Sequence, residues 1–392
     1  MQVENVVIIN DFNFIQGGAS KVAIDTARLL KEKNINIFFF SAVNKKEAEI
    51  EGIKYISTNQ NEALKENNRL KGIINGIYNF KSRRTLKKLL KTLDREKTVI
   101  HIHGWTKALS SSVLDVSFKM KFKVIVTLHD YFTACPNGGY FNYVQNNICN
   151  LKPLSWECIK CNCDSRSYGF KLYRLLRQFV QNKIVKINSK LKYVVGISDL
   201  SIEILRKTLN KDVIIEKIYN PIEFEETEEK IDYRANKYFL YVGRVSKEKG
   251  VENFCRVITD LGFEGIVVGD GNEKERLEKK YPNIVFTGWK EKSEVNEYMK
   301  GAKALVFTSL WYETAGLTIL EAGVLGIPSI VNKTCAGREF VSKENLYSNL
   351  EELKNILKKE TFKVSINKNA YSSSKYVEKL LKLYEGGKVD EK

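Results

Sequence analysis

Short apolar runs typical of β-strands alternate with helical segments along the whole chain, and this alternation constrains the fold more than any other feature. In the first half the predicted strands are VVIIN, INIFFFS, TVIHIHG, KVIVTLHD, KYVVGIS and, as a last strand or linker, VIIEKIYNP. The second half follows the same scheme with YFLYVGR, GIVVGD, NIVFTG, ALVFTS and PSIVN. Such alternation is typical of parallel sheets with crossover helices. The sequence therefore predicts an α/β protein with two parallel sheets.

Length and composition agree with two domains. A chain of 392 residues with 43% hydrophobic residues has enough apolar material for more than one core. The best predicted boundary is Asn220-Pro221, because a proline after a strand marks a turn. No run approaches the roughly 20 apolar residues of a membrane span. The first residues, MQVENVVIIN, show no secretory signal pattern, so we expect a cytoplasmic protein.

Two segments of the second half carry groups suited to a nucleotide diphosphate. KYFLYVGRV reads as a strand that ends at Gly243-Arg244, and the turn SKEKG adds Lys249. Ligands bind at the carboxyl ends of strands in open α/β sheets, where a guanidinium and an ammonium can hold phosphate. A chain with 64 Lys and Arg would also place two basic residues in a turn by chance. The GIVVGDGN turn, with Gly269, lacks the full dinucleotide fingerprint.

The segment ETAGLTILEA places two glutamates around the start of a predicted helix. Glu313 precedes Gly316-Leu317, where unpaired backbone N–H groups and the helix dipole attract an anion. Glu321 follows about one turn inside that helix. One carboxylate can reach a sugar hydroxyl while the other reaches a ribose. Two solvated glutamates on a helix remain the alternative interpretation.

Taken in order, these motifs resemble glycosyltransferase family 4, the retaining nucleotide-sugar transferases with the GT-B architecture. The resemblance covers nearly the whole chain. Its motifs are GGASKVAIDTARLLKEKN, NPIEF (220–224), YVGRVSKEKG, VVGDGN, VFTGW and ETAGLTILEA. It implies an acceptor-side domain at 1–218, a nucleotide-sugar domain at 219–371 and a C-terminal helix, about 372–388, that returns to the first domain.

The resemblance also implies site residues. His129 and Glu313 would be catalytic, with Glu313 orienting sugar hydroxyls. The donor-binding set would be Gly17, Gly18, Arg244, Lys249, Gly269, Thr287, Gly316, Leu317 and Glu321. Arg244, Lys249 and helix N-terminal amides would stabilise the departing diphosphate, so no cofactor would be required for catalysis.

Histidines end two strands of the first half. His101 and His103 share one face of the strand in HIHGW, and His129 ends TLHD. Strand ends face the ligand crevice in such sheets, which makes His129, and after it His103, acceptor-side candidates. Histidines bonded only to the backbone are the alternative. The neighbouring Asp130 either orients the His129 ring or caps the next turn.

Five of the seven cysteines lie between Cys135 and Cys163. We expect a structural zinc site with Cys135, Cys149, Cys158 and Cys161 as ligands and Cys163 spare. Free thiols and disulfides stay open as alternatives, although disulfides are rare in the cytoplasm. Cys255 and Cys335 are predicted to be core residues.

The net charge of +17 is concentrated in two basic amphipathic segments of the first half, near 70–95 and 170–193. Such segments suit an anionic membrane surface or an anionic acceptor, and a solvated face is the alternative. No nucleic-acid-binding motif accompanies the charge.

The sequence thus predicts sugar transfer from a nucleotide diphosphate to a hydroxyl of an acceptor, a lipid-linked saccharide or oligosaccharide, with retention of configuration. We expect the protein in the cytoplasm, peripheral at the inner membrane face. Two alternatives remain. One is a sugar-nucleotide epimerase or phosphorylase with the same architecture, and the other is a non-catalytic basic protein that binds membrane or nucleic acid.

Overall fold

The computed structural model describes residues 2–222, 231–364, 366 and 368–386. It divides into two compact units. The first contains the described residues of Met1–Gly139, Leu151–Pro221 and Ser373–Lys392, and the second those of Tyr140–Asn150 and Ile222–Ser372. The divisions at 221/222 and 372/373 lie close to the predicted boundaries, and the roles assigned to the two domains stay predictions. Glu223 and Phe224 of the NPIEF motif, and the predicted helix end at 387–388, lie outside the described residues.

Each unit is built around one parallel sheet. In the first unit the strands are β1 (Asn5–Phe12), β2 (Asn36–Val43), β3 (Lys54–Ser57), β4 (Thr98–Ile102), β5 (Lys123–Leu128), β8 (Tyr193–Gly196) and β9 (Ile214–Lys217). In the second unit β6 (Phe141–Asn142) and β7 (Asn147–Ile148) form a short antiparallel hairpin. The second sheet contains β10 (Tyr238–Val242), β11 (Glu264–Val268), β12 (Ile284–Gly288), β13 (Ala302–Phe307), β14 (Ser329–Asn332) and β15 (Leu346–Tyr347).

The strand order reverses once in each sheet. The first runs β3-β2-β1-β4-β5-β8-β9 and the second β12-β11-β10-β13-β14-β15, all parallel. The chain therefore winds outward from β1 and from β10, and the reversals lie between β1 and β4 and between β10 and β13. At such a point the connecting loops diverge and leave a crevice at the carboxyl ends of the strands.

Helices connect most of these strands. They are α1 (Gly18–Lys31), α2 (Arg69–Ile77), α3 (Phe80–Leu90), α4 (Ser112–Lys119), α5 (Trp156–Lys160), α6 (Tyr168–Phe179), α7 (Ile187–Lys190), α8 (Asp199–Arg206), α9 (Val251–Leu261), α10 (Lys274–Lys280), α11 (Lys292–Lys300), α12 (Leu317–Val324), α13 (Leu350–Lys358) and α14 (Ser373–Glu385). None of the helices in the described ranges is long and apolar enough to cross a membrane.

The C-terminal helix α14 packs on the first unit. The hydroxyl groups of Tyr376 and Thr26 are 2.7 Å apart, and the Tyr384 hydroxyl lies 2.6 Å from His101 Nδ1. Lys123 Nζ donates to the Leu383 carbonyl oxygen at 2.8 Å. The predicted fold class, two Rossmann-like parallel-sheet domains with a returning C-terminal helix, is confirmed.

The structure adds elements that the sequence pattern did not indicate. The edge strands β3 and β15 were missed because they are short and have no clear apolar run. The basic segment near 70–95 is two helices, α2 and α3, because the Asn79 side chain accepts a hydrogen bond from Ser82 N and starts a new helix. The second basic segment is α6, one π-helical turn at Val180–Val185, and α7.

Candidate functional site

The predicted diphosphate and sugar groups meet at the strand-order reversal of the second sheet. Lys249 lies in the turn after β10, and Glu313 lies in the loop after β13, which is the neighbouring strand. Lys249 Nζ forms an ion pair with Glu313 Oε1. Ser309 Oγ donates a hydrogen bond of 3.0 Å to the same carboxylate oxygen. Residues 64 positions apart in the chain thus form one charged cluster at the crevice end of the sheet.

Burial and pairing act in opposite directions on Glu313. Only 9% of the residue is exposed, and burial alone would raise the pKa of its carboxyl group. The Lys249 ammonium, together with the Trp311 side chain and the Ser309 hydroxyl, outweighs burial and holds the pKa of Glu313 below its usual value. The carboxylate is therefore ionised at neutral pH and can accept hydrogen bonds from a polar ligand.

Arg244 lies at the end of β10 and is open to solvent. Its side chain is 61% exposed, and its contact with Glu248 is long, at 3.7 Å. A weak, exposed ion pair holds a guanidinium loosely. The two predicted diphosphate residues thus differ, because Lys249 is already paired while Arg244 can turn toward a ligand.

Two glycines allow the backbone to approach closely at this edge. A Cβ atom on Gly269 would lie 2.0 Å from the Gly243 carbonyl oxygen, so the turns after β11 and β10 can touch only without a side chain there. Gly316 has φ 95° and precedes α12, a left-handed conformation that favours glycine. Leu317 is the first residue of α12 and Glu321 lies one turn further; both are half-buried.

The remaining predicted donor-binding residues are not part of the Lys249–Glu313 cluster. Thr287 Oγ1 donates to the Gly288 carbonyl oxygen at 3.1 Å, so its hydroxyl is already engaged by the backbone. Gly17 and Gly18 lie at the start of α1 in the first unit. A separate cleft of the second unit, between the β6–β7 hairpin and helices α9 and α10, is lined by none of the predicted donor residues.

In the first unit the three histidines form a continuous stack. The ring centres of His101 and His103 are 4.2 Å apart, as expected for one strand face, and His103 Nδ1 lies 3.0 Å from His129 Nε2. His101 also contacts Thr127 Oγ1 at 2.7 Å. Burial lowers the pKa of His101 and of His129 to about 3, and that of His103 well below its usual value. All three rings are therefore neutral at physiological pH.

Asp130 follows this stack and caps a turn. Its Oδ1 accepts a hydrogen bond of 2.9 Å from Phe132 N, which is the capping alternative considered above. Burial raises the pKa of Asp130 to about 6 despite that hydrogen bond. The carboxyl group thus titrates near neutral pH.

Sequence reasoning missed Asp11, which is the next-to-last residue of β1. It is buried, and its two carboxylate oxygens accept backbone hydrogen bonds from Lys107, Ala108 and Leu109 at 2.9–3.0 Å. Asp11 fixes the loop after β4 at the reversal of the first sheet. The available signal was a carboxylate soon after the apolar run VVII. Sequence reasoning also missed Ser309 of the second unit, because no local sequence pattern marks it as a site residue.

The cysteine-rich segment surrounds a buried lysine. Lys171 Nζ lies 3.1 Å from Cys163 Sγ and 3.5 Å from Cys158 Sγ. Cys135, Cys158 and Cys163 are buried, while Cys149 and Cys161 are half-buried, and all seven cysteines are free thiols. Across the described ranges, no group of three or more His, Cys, Asp or Glu side chains is arranged to hold a metal ion. The zinc site therefore stays a prediction. Cys255 and Cys335 are fully buried core residues, as predicted.

Comparison with known proteins points to one family model. Residues 223–348, which include Arg244, Lys249, Glu313 and Glu321, match the model of the glycosyl transferases group 1. The chain is 26% identical over 251 residues to an uncharacterised 41.2 kDa protein in the cps region of Klebsiella pneumoniae, covering 60% of this chain and 68% of that protein. It is 31% identical over 96 residues to a GDP-mannose-dependent alpha-mannosyltransferase of Corynebacterium glutamicum, covering 24% and 23%.

A solved structure shows the same architecture. The chain superposes on Anabaena HepE in complex with UDP with a TM-score of 0.62 and 15% identity, over 98% of this chain and 100% of that one. At this identity the likeness concerns the fold alone. The chain therefore has the GT-B fold, and residues 223–348, which carry the Lys249–Glu313 cluster, match the model of the glycosyl transferases group 1.

Proposed function

We propose that the protein is a retaining glycosyltransferase of the family 4 type. It would move a hexose from a nucleotide-diphosphate sugar to a hydroxyl group of a lipid-linked saccharide. The observation that carries this proposal is the Lys249–Glu313 pair at the strand-order reversal of the second sheet. This pair brings a phosphate-binding cation and an ionised carboxylate to one crevice edge.

The cations have a direct role in the reaction. As the glycosidic bond lengthens, negative charge grows on the leaving diphosphate. Arg244 and Lys249, with the backbone N–H groups at the start of α12, would stabilise that charge. Because these groups supply positive charge, we propose that the reaction needs no divalent metal.

Glu313 would orient the transferred sugar. Its carboxylate is held by Ser309, so it stays in place when Lys249 turns to a diphosphate. Glu321, one turn inside α12, would bind the ribose. With retention of configuration, the leaving phosphate would take the proton of the acceptor hydroxyl, so no carboxylate base is needed.

The acceptor side would be the histidine stack of the first unit. His129, neutral at physiological pH, would contact the reacting sugar through hydrogen bonds and without charge. Support for a surface-polysaccharide role comes from the relative in the cps region of Klebsiella pneumoniae. A lipid-linked acceptor would place the protein at the cytoplasmic face of a membrane.

Donor binding is the first test. The panel contains UDP, GDP and their sugars, because one relative is named for GDP-mannose and a structural neighbour holds UDP. A ligand at 100 times its Kd stabilises the folded state by about 2.7 kcal/mol, which raises the Tm. We expect one nucleotide to raise the Tm of the wild type, and the shift to be lost in Arg244→Ala.

The matched control is Arg256→Ala, an exposed arginine on α9 outside the proposed donor site. It should keep the full shift. Equal shifts in Arg244→Ala and Arg256→Ala, or no shift with any nucleotide, would contradict the donor site. Product analysis without acceptor then separates a transferase from an epimerase, which would convert the donor sugar on its own.

A further inference from the structure

Helix α6 of the first unit has one face that supports the acceptor-side loop. Gln178 Nε2 donates to the carbonyl oxygens of Thr133 and Ala134 at 3.2 Å, and Arg177 donates to the Pro136 carbonyl oxygen at 3.1 Å. These carbonyl groups belong to the loop that follows His129 and Asp130. Gln178 and Arg177 are both buried. The inner face of α6 therefore fixes the loop next to the proposed acceptor-side residues.

The opposite face of α6 exposes large apolar side chains. Leu172, Leu176 and Phe179 follow one another at helical spacing and are 47%, 50% and 49% exposed. A helix packed on a protein core normally directs polar side chains to water. Half-exposed leucine and phenylalanine side chains in one stripe instead mark an interaction surface.

Helix α2 lies beside α6 and shows the same feature. A Cβ atom on Gly76 would lie 1.8 Å from the Tyr173 hydroxyl oxygen, so the two helices are in direct contact there. On α2, Leu70, Ile73 and Ile74 are 73%, 43% and 55% exposed. The two stripes flank one helix–helix contact, and we call these six side chains the apolar face.

Positive charge surrounds the apolar face. No Asp or Glu occurs from Asn67 to Leu93 or from Ser165 to Lys192. Exposed basic side chains lie in both segments, namely Arg69, Lys71, Lys81, Arg84, Lys183 and Lys186. Of these, Lys71 pairs with Glu66, which lies just before the first segment. Apolar side chains among a large excess of cations are the composition of helices that lie in the interface of anionic bilayers.

We propose that the apolar face docks on the surface of an anionic lipid bilayer, with its leucine, isoleucine and phenylalanine side chains inserted among the lipids. This deepens the proposed function and rests on it for the identity of the acceptor. A second copy of the chain is a poor occupant, because two surfaces with a strong excess of basic side chains repel each other. A bilayer offers both the apolar interior and the negative charge.

The docking surface also explains how a lipid-linked acceptor would reach the site. The apolar face and the contacts to residues 133–136 lie on opposite sides of α6, a helix about 10 Å across. The acceptor-side loop is therefore held about one helix diameter from the lipid headgroups. A hydroxyl group on a short lipid-linked saccharide would reach that loop while its lipid stays in the membrane.

The test uses the full-length protein and vesicles of phosphatidylcholine with or without phosphatidylglycerol. The triple variant Leu172→Gln/Leu176→Gln/Phe179→Gln removes insertion and keeps every charge. Its affinity for anionic vesicles should fall at least about tenfold. The matched control, Val285→Gln, changes an exposed apolar residue of the second unit and should bind as the wild type does. All three proteins should keep the same Tm.

Insertion itself is read out with Leu176→Trp. Its tryptophan emission should shift to the blue and be quenched by brominated lipids, whereas that of Val285→Trp should not change.

Equal vesicle binding by the wild type and the triple variant would overturn the proposal, because binding would then depend on charge alone and not on insertion of apolar side chains. A wild-type dimer that the triple variant abolishes, with no vesicle binding, would assign the face to a second copy. Vesicle binding is measured without donor, so its failure is distinct from failure of nucleotide binding.

Discussion

Replacing Lys249 by Met should destabilise the folded protein by about 3 kcal/mol at pH 8. The change keeps an unbranched side chain and removes the ammonium that pairs with Glu313. The Glu313 carboxylate is buried and would then lose its neighbouring ammonium while it keeps its hydrogen bond from Ser309. Removing one partner of a buried ion pair costs about 3–5 kcal/mol. We take the lower end because the two side chains are still 19% and 11% exposed.

The loss should depend on pH, with a defined sign. In the wild type the pKa of Glu313 is below the usual 4.5, so its stabilising contribution is present above pH 4.5 and is lost as pH falls through the folded-state value. In Lys249→Met burial dominates, and the pKa of Glu313 should rise above 4.5. The penalty is then full at pH 8 and shrinks as the pH falls through the raised pKa, because the carboxyl group becomes neutral.

The assay is chemical unfolding followed by tryptophan fluorescence at pH 8 and pH 5. Lys247→Met, an exposed lysine of the same turn, is the control and should change stability by less than about 0.5 kcal/mol. Lys249→Met/Glu313→Gln removes both charges and should recover most of the stability lost in the single variant. An unchanged Lys249→Met protein at pH 8, or a double variant less stable than the single one, would refute the buried pair.

Further predictions concern the site and the cysteines. Arg244→Ala and Glu321→Ala should each lower turnover more than tenfold while leaving the Tm unchanged, since they are proposed to bind diphosphate and ribose. The raised pKa of Asp130, about 6, means that its stability contribution is full below pH 3.8 and lost as pH rises through 6, so Asp130→Asn should raise the Tm at pH 8 more than at pH 5. Activity should persist in EDTA without added metal. Elemental analysis of protein purified without chelator should find about one zinc per chain if cysteines 135–163 bind the metal.

The sequence predicted β10 to β14 of the second sheet because each of these strands is an apolar run followed by a recognisable turn, whereas it missed β15. The segments YVGR and VFTS correctly predicted β10 and β13. The loops that follow these two strands contain Lys249 and Glu313. The two side chains were predicted to bind different parts of a donor, and their mutual ion pair was not expected. That pair depends on β10 lying next to β13, a long-range property that no local pattern encodes.

The first unit shows where local patterns were insufficient. The twofold period of a strand correctly placed His101 and His103 on one face. The contact between Lys171 and the Cys163 thiol was not predicted, because one lysine does not stand out in a chain with 64 basic residues. The assignment of residues 140–150 to the second unit likewise depends on packing.

The two strand-order reversals hold chemically different groups, and this difference suits the proposed reaction. At the ends of β4 and β5, beside the first reversal, burial leaves His103 and His129 neutral and raises the pKa of Asp130 to about 6. At the second, Glu313 stays ionised because Lys249 lies beside it and lowers the pKa of its carboxyl group. Neutral donors and acceptors bind the hydroxyl groups of a saccharide without a strong preference for charge. A diphosphate needs fixed cations, because its negative charge grows as the sugar departs. The same topology can therefore present neutral imidazole rings in one unit and an ionised carboxylate beside a lysine in the other, through burial in the first and burial with a charged partner in the second.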